Sequence, residues 1–136
     1  MAILGGLSKY KDLGLLILRV GIGVLLITHG YPKLMAGPSG DHGWTKLGGT
    51  MGLFGITFAP TFWGFMAAFA EAIGGLLIVL GFFFRPATLL VIINMFVAVY
   101  MHVTVIKGGH EPALLFGIVA LSLFITGPGR YSIDKK

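Results

Sequence analysis

Residues 62–102 read FWGFMAAFAEAIGGLLIVLGFFFRPATLLVIINMFVAVYMH. They hold two apolar stretches, each long enough to cross the roughly 30 Å hydrocarbon core of a bilayer as a helix. Only Arg85 and Pro86 interrupt them, so the chain must turn straight back as a tight antiparallel hairpin. Pro86 suits the first turn of a helix, where its missing N–H would have no partner anyway. Working outward, the same reading predicts a span over 13–31 and another over 112–126, the latter opened by Pro112 and stopped by Gly127, Pro128 and Gly129. With the central pair at 62–84 and 86–102, the expectation is an all-α integral membrane protein. It would form a single domain over 1–136, an antiparallel four-transmembrane-helix bundle.

Composition agrees with lipid as the main solvent. Of 136 residues, 56% are hydrophobic and only 11% charged, and the mean hydropathy is +0.92, well outside the range of soluble domains. The chain has no cysteine, which removes disulfides, thiolate-bound metals, iron–sulfur clusters and thiol relays of its own. The net charge of +5 does not point to nucleic acid, because the Lys and Arg residues lie at the chain ends and in loops without forming a basic stripe. The first apolar stretch reads as a retained anchor. It is too long for a signal peptide's apolar region, it contains Arg19, and HGYPKLMAG after it makes a poor cleavage site.

Loop charges set the expected orientation. Lys9, Lys11, Arg85, Arg130, Lys135 and Lys136 fall on one side, and Lys33, Lys46 and Lys107 on the other. The positive-inside rule therefore puts both termini in the cytoplasm. In the long connection between spans one and two, Trp44, Leu47, Gly48 and Met51 recur at helical spacing beside Asp41, His42, Thr45 and Lys46. This pattern predicts a short interfacial helix. Small residues mark the contact faces, since close backbone approach must supply much of the association energy in lipid. Arg19, Gly23, Leu26 and Gly30 share one face of span one, and Ala67, Glu71, Gly74, Gly75 and Ile78 one face of span two.

Both of these faces carry a charge. At 1.5 Å per residue, Arg19 lies about 9 Å and Glu71 roughly 18 Å from the cytoplasmic side, with Asn94 on span three about 12 Å deep, between them. Arg19 and Glu71 are expected nearly to meet and to be energetically coupled. Two readings stay open. Intramembrane ionisable groups mark functional sites, but Arg19 snorkelling to the interface, with Glu71 and Asn94 bridging helices, would be purely structural. At the outer side His29, His102 and His110, with Glu111, gather at one expected mouth. Imidazoles there could exchange protons with a quinol or another small molecule, or form an ordinary polar interface. Haem ligation by His29 and His102 has no supporting spacing, and GGHEPAL lacks the second histidine of a zinc motif. No phosphate loop, catalytic triad or dinucleotide fingerprint is present.

The segments RVGIGVLLITHGYPKL, EAIGGLLIVLGFFFRPA and GGHEPALLFGIVALSLFITGPGRYSID, in this order and spacing, resemble the DoxX family of small four-span membrane proteins. The resemblance aligns Glu71, Gly74 and Gly75 with the family's acidic second helix and Arg85 with its basic turn. Gly127, Gly129, Tyr131 and Asp134 match its closing motif. It implies a bacterial or archaeal cytoplasmic membrane and a redox setting, as an accessory subunit of a quinone-linked oxidoreductase. A site for an isoprenoid quinone would then draw on Glu71, Arg19, His29, His102 and Asn94. A redox protein partner or a homo-oligomer completes that expectation, because this chain carries no electron carrier of its own. A noncatalytic membrane organiser or a small-molecule transporter would use the same charges to fix helices or line a path.

Overall fold

A computed structural model describes residues 3–135. Lys136, counted above among the basic residues, lies outside them. The described residues are helical, with turns and no strand. A 3₁₀ turn over Gly5–Tyr10 leads into α1 (Lys11–Met35). Then come α2 (Trp44–Gly48), a second 3₁₀ turn (Gly49–Phe54), α3 (Pro60–Leu80), α4 (Phe84–Met101), a π-helical turn (His102–Ile106) and α5 (Glu111–Thr126). Three helical stretches, Gly5–Met35, Pro60–Leu80 and Phe84–Ile106, are long and apolar enough to cross a membrane. The apolar α5 has 16 residues, about 24 Å at 1.5 Å per residue.

The breaks differ from the expected ones for local reasons. α3 stops at Leu80, not Phe84, because Gly81 adopts the left-handed conformation (φ +66°). Its N–H donates to the Ile78 carbonyl and that of Phe82 to Leu77, the Schellman closure that favours glycine. α4 therefore starts before Pro86, which sits in its first turn. α1 does not end at Tyr31 but runs through Pro32 to Met35, giving up the one backbone bond a proline cannot donate. The connection between the first two spans does hold a short helix, α2 with its 3₁₀ extension, and it is packed on α3. A Cβ on Gly64 would overlap the Trp44 backbone, and one on Gly48 the carbonyl of Pro60.

Packing follows the small-residue faces. α1 lies chiefly on α3, α3 on α4 and α4 on α5, while α1 and α5 barely touch. Gly23 faces Gly75 and Val79, and Gly30 faces Glu71 and Ala72, so α1 and α3 run in opposite directions. Ile22, Leu26, Ile78, Phe84, Val91, Met95 and Leu123 fill the shared core. Many large apolar side chains point outward, including Ile125 at 70% and Phe96 at 64% exposure. In water such a surface would aggregate, whereas in lipid it is the matching solvent.

The closing segment ties one end together. Gly127 and Gly129 have positive φ, turning the chain so that Ile133 and Asp134 donate to the carbonyls of Leu80 and Gly81. The Asp134 carboxylate accepts the Phe84 N–H at 2.8 Å. This caps α4 from a distance, in place of Phe83, which has no capping side chain.

Candidate functional site

Two polar centres lie within the helices, and they are separate. Arg19, on α1, is 1% exposed. Its Nε donates to Ile78 O at 3.0 Å, Nη2 to Val79 O at 2.9 Å and Nη1 to Pro128 O at 3.0 Å. Two of these acceptors are carbonyls of the last turn of α3, at the negative end of its dipole, and that of Ile78 accepts the Gly81 N–H as well. Arg19 thus binds α1, the end of α3 and the closing segment together. The expected meeting with Glu71 does not occur. Glu71 lies seven residues before Ile78, about 10 Å along α3, and the guanidinium is committed to carbonyls.

Glu71, 5% exposed, instead accepts from Lys33 Nζ, at 3.0 Å on Oε1 and 2.8 Å on Oε2. Asn94 Nδ2 donates to Oε1 at 3.2 Å. Three elements converge to make this possible. Gly30 lets α1 press against α3 beside Glu71, the passage of α1 through Pro32 carries Lys33 one turn further, and the α3–α4 hairpin sets Asn94 at the level of Glu71. Lys33 is itself fixed at its backbone, since its carbonyl accepts Trp44 Nε1 at 2.9 Å. Sequence reasoning missed Lys33 because it placed the residue in the loop beyond span one. The signal available was its position three residues after Gly30, on the same helix face.

A cavity of about 510 Å³ opens between α3 and α4 beneath the 3₁₀ turn. Met66, Ala67, Ala70, Leu90, Ile93 and Val97 are among its apolar walls, and Lys33, Glu71, Asn94 and His102 are its charged and strongly polar members. Of the residues singled out from sequence, Glu71, Asn94 and His102 line this cavity, whereas Arg19 and His29 do not. His29 is exposed, with Nδ1 2.8 Å from Leu25 O and its ring edge-on to Phe116. His102 is half-buried at the start of the π-helical turn, with Nδ1 2.7 Å from Ala98 O. Such turns are rare and often accompany functional sites.

Chemically, the cavity offers a lipophilic molecule apolar walls and one polar side. Glu71 is held by three N–H donors, leaving Lys33 a further N–H and Asn94 its other amide atoms for a guest. No group of three or more His, Asp or Glu among the described residues is arranged to hold a metal ion.

The DoxX family model matches residues 14–104, which contain α1 from its fourth residue on, the cavity and all of its lining residues. An uncharacterized protein of Haemophilus influenzae is 27% identical over 141 residues, covering 98% of this chain and 97% of the relative. The inner membrane protein YqjF of Escherichia coli K12 is 28% identical over 134 residues, 95% of each chain. No solved structure gives a significant match.

Proposed function

The chain belongs to the DoxX family, and from that premise we propose that it is a membrane subunit of a redox complex that binds an isoprenoid quinone between α3 and α4. In this reading α1, α3, α4 and α5 all cross the cytoplasmic membrane as an antiparallel bundle with both termini inside, as the distribution of basic residues favours: six on one side against Lys46 and Lys107 on the other, with Lys33 taken up in α1.

The observation that carries the reading is the cavity itself. Its volume of about 510 Å³ lies within the usual range for small-molecule sites. Its walls are largely apolar, and its polar side is concentrated at Lys33, Glu71 and Asn94. A quinone ring needs this combination, and the isoprenoid tail would continue into lipid past the exposed rim residues Phe62 and Ile93. The chemistry a bound quinone supplies is two-electron, two-proton redox exchange, with the electrons passing to or from a partner protein. The chain's own residues orient the ring. Lys33 and Asn94 donate toward a ring oxygen, Glu71 holds both donors in place, and the apolar walls exclude water. Arg19 acts outside the cavity by fixing the end of α3.

Gentle purification of the native assembly, followed by extraction and identification of quinones and associated proteins, tests this directly. Wild type should carry an isoprenoid quinone or a redox protein, and folded Glu71→Gln should retain less of it. If neither accompanies the wild-type protein, and folded Glu71→Gln keeps full respiratory function in cells, a structural or transport role takes the place of the redox one.

A further inference from the structure

The hydrogen bonds around the cavity distribute donors and acceptors unevenly. Lys33 can only donate. Glu71 already receives three N–H bonds. Thr50 spends its hydroxyl proton on Met101 Sδ, and Trp63 its indole N–H on Phe58 O. His102 is different. A carbonyl cannot donate, so the 2.7 Å contact between Nδ1 and Ala98 O requires the proton to be on Nδ1. In the neutral ring, Nε2 is then left with a free lone pair. No hydrogen bond engages Nε2, yet every buried side-chain N or O among the described residues has a partner, so Nε2 reaches accessible space. His102 lines the cavity, and its Nε2 is a stronger base than the other neutral side-chain acceptors with free lone pairs there, the Asn94 amide oxygen and the Thr50 hydroxyl oxygen.

We propose that His102 determines which redox form the cavity prefers: its Nε2 accepts a hydrogen bond from a ring hydroxyl, so the site selects the hydroquinone, while the opposite ring oxygen meets Lys33 and Asn94. The inference rests on the reading of the cavity as a quinone site. A hydroxyl at this end is rewarded and a carbonyl meets a lone pair, so the geometry discriminates by hydrogen-bond polarity and not by shape. Sites that hydrogen-bond a substrate hydroxyl reject analogues lacking it far more strongly than apolar pockets do.

The test uses purified full-length protein in lipid nanodiscs. Quenching of Trp63, which lines the cavity, reports binding of a decyl-benzoquinone probe, and Trp63→Phe identifies that share of the signal. The competitors, added without oxygen, are decyl-hydroquinone and its dimethyl ether, which has the same ring but no hydroxyl proton. Wild type should bind the hydroquinone about tenfold tighter than the ether, the effect of one hydrogen bond to a well-placed acceptor. In His102→Leu that ratio should fall several-fold, to what the second hydroxyl alone contributes, with affinity for the quinone probe changed less than about threefold, the effect of losing only the acceptor. Equal binding of hydroquinone and ether by wild type overturns the inference without any variant, so a misfolded His102→Leu cannot shield it. A ratio that survives in folded His102→Leu overturns it too. In both cases the quinone site stands. If the probe causes no saturable quenching of Trp63, the quinone site and this inference fall together.

Discussion

Lys33 and Glu71 should be energetically coupled, and the structure fixes the size of the effect. The ammonium lies 2.8 and 3.0 Å from the two carboxylate oxygens. At charge separations of about 3.5 to 4 Å and an effective dielectric of about 20, their attraction is about 4 to 5 kcal/mol. Desolvation of the buried carboxylate offsets much of this, and 40% of the Lys33 side chain is exposed, which weakens the pair further. A coupling of about 2 kcal/mol should remain. Lys33→Met leaves a buried carboxylate with Asn94 alone and should cost about 3 kcal/mol. Glu71→Gln removes the charge but keeps an oxygen for Asn94, and should cost about 2 kcal/mol. The assay is reversible unfolding in mixed micelles for wild type, both single variants and the double. The double variant should cost about 2 kcal/mol less than the sum, and additivity within about 0.5 kcal/mol would refute the pairing. The same cycle on Arg19→Met and Glu71→Gln should be additive, because these two residues share no partner.

The glycines divide by face. Gly30→Ala, whose Cβ would come 2.6 Å from Glu71 Cβ, should destabilise by about 1 to 3 kcal/mol, whereas Gly21→Ala, with open space around it, should be neutral or stabilise by up to about 1 kcal/mol in the same unfolding assay. Asp134→Ala removes the cap on Phe84 and should cost about 1 kcal/mol, with faster amide exchange in the first turn of α4. In this cysteine-free chain, Ser8→Cys should be protected from an impermeant thiol reagent in intact cells and Ser39→Cys labelled; the reverse pattern would invert the topology.

Helical spans are legible because lipid imposes a coarse rule, about 20 apolar residues per crossing, and small-residue faces are legible because helices in lipid associate by close approach. That is why Gly23, Gly30 and Gly75 could be placed on contact faces from spacing alone. Partner choice is not legible in this way. Arg19 and Glu71 seemed matched by depth and sign, but depth says nothing about which acceptor a side chain reaches first. The carbonyls ending α3 become available to Arg19 only because Gly81 stops the helix there and the closing segment folds back to bring Pro128 alongside. Lys33 was hidden because the first span was expected to end at Tyr31, whereas α1 runs on through Pro32 to Met35. The π-helical turn at His102 has no sequence signature, because it depends on how α4 meets the connection to α5.

A quinone held between α3 and α4 can be trapped in place by photolabelling native membranes with an azido-benzoquinone carrying an isoprenoid tail and mapping the modified residues by mass spectrometry. Labels should fall within Phe62–Glu71 and Ile93–His102 and be suppressed by excess unlabelled quinone. Labels confined to outward-facing residues such as Ile17 and Leu115, or labelling that unlabelled quinone does not suppress, would contradict the quinone site.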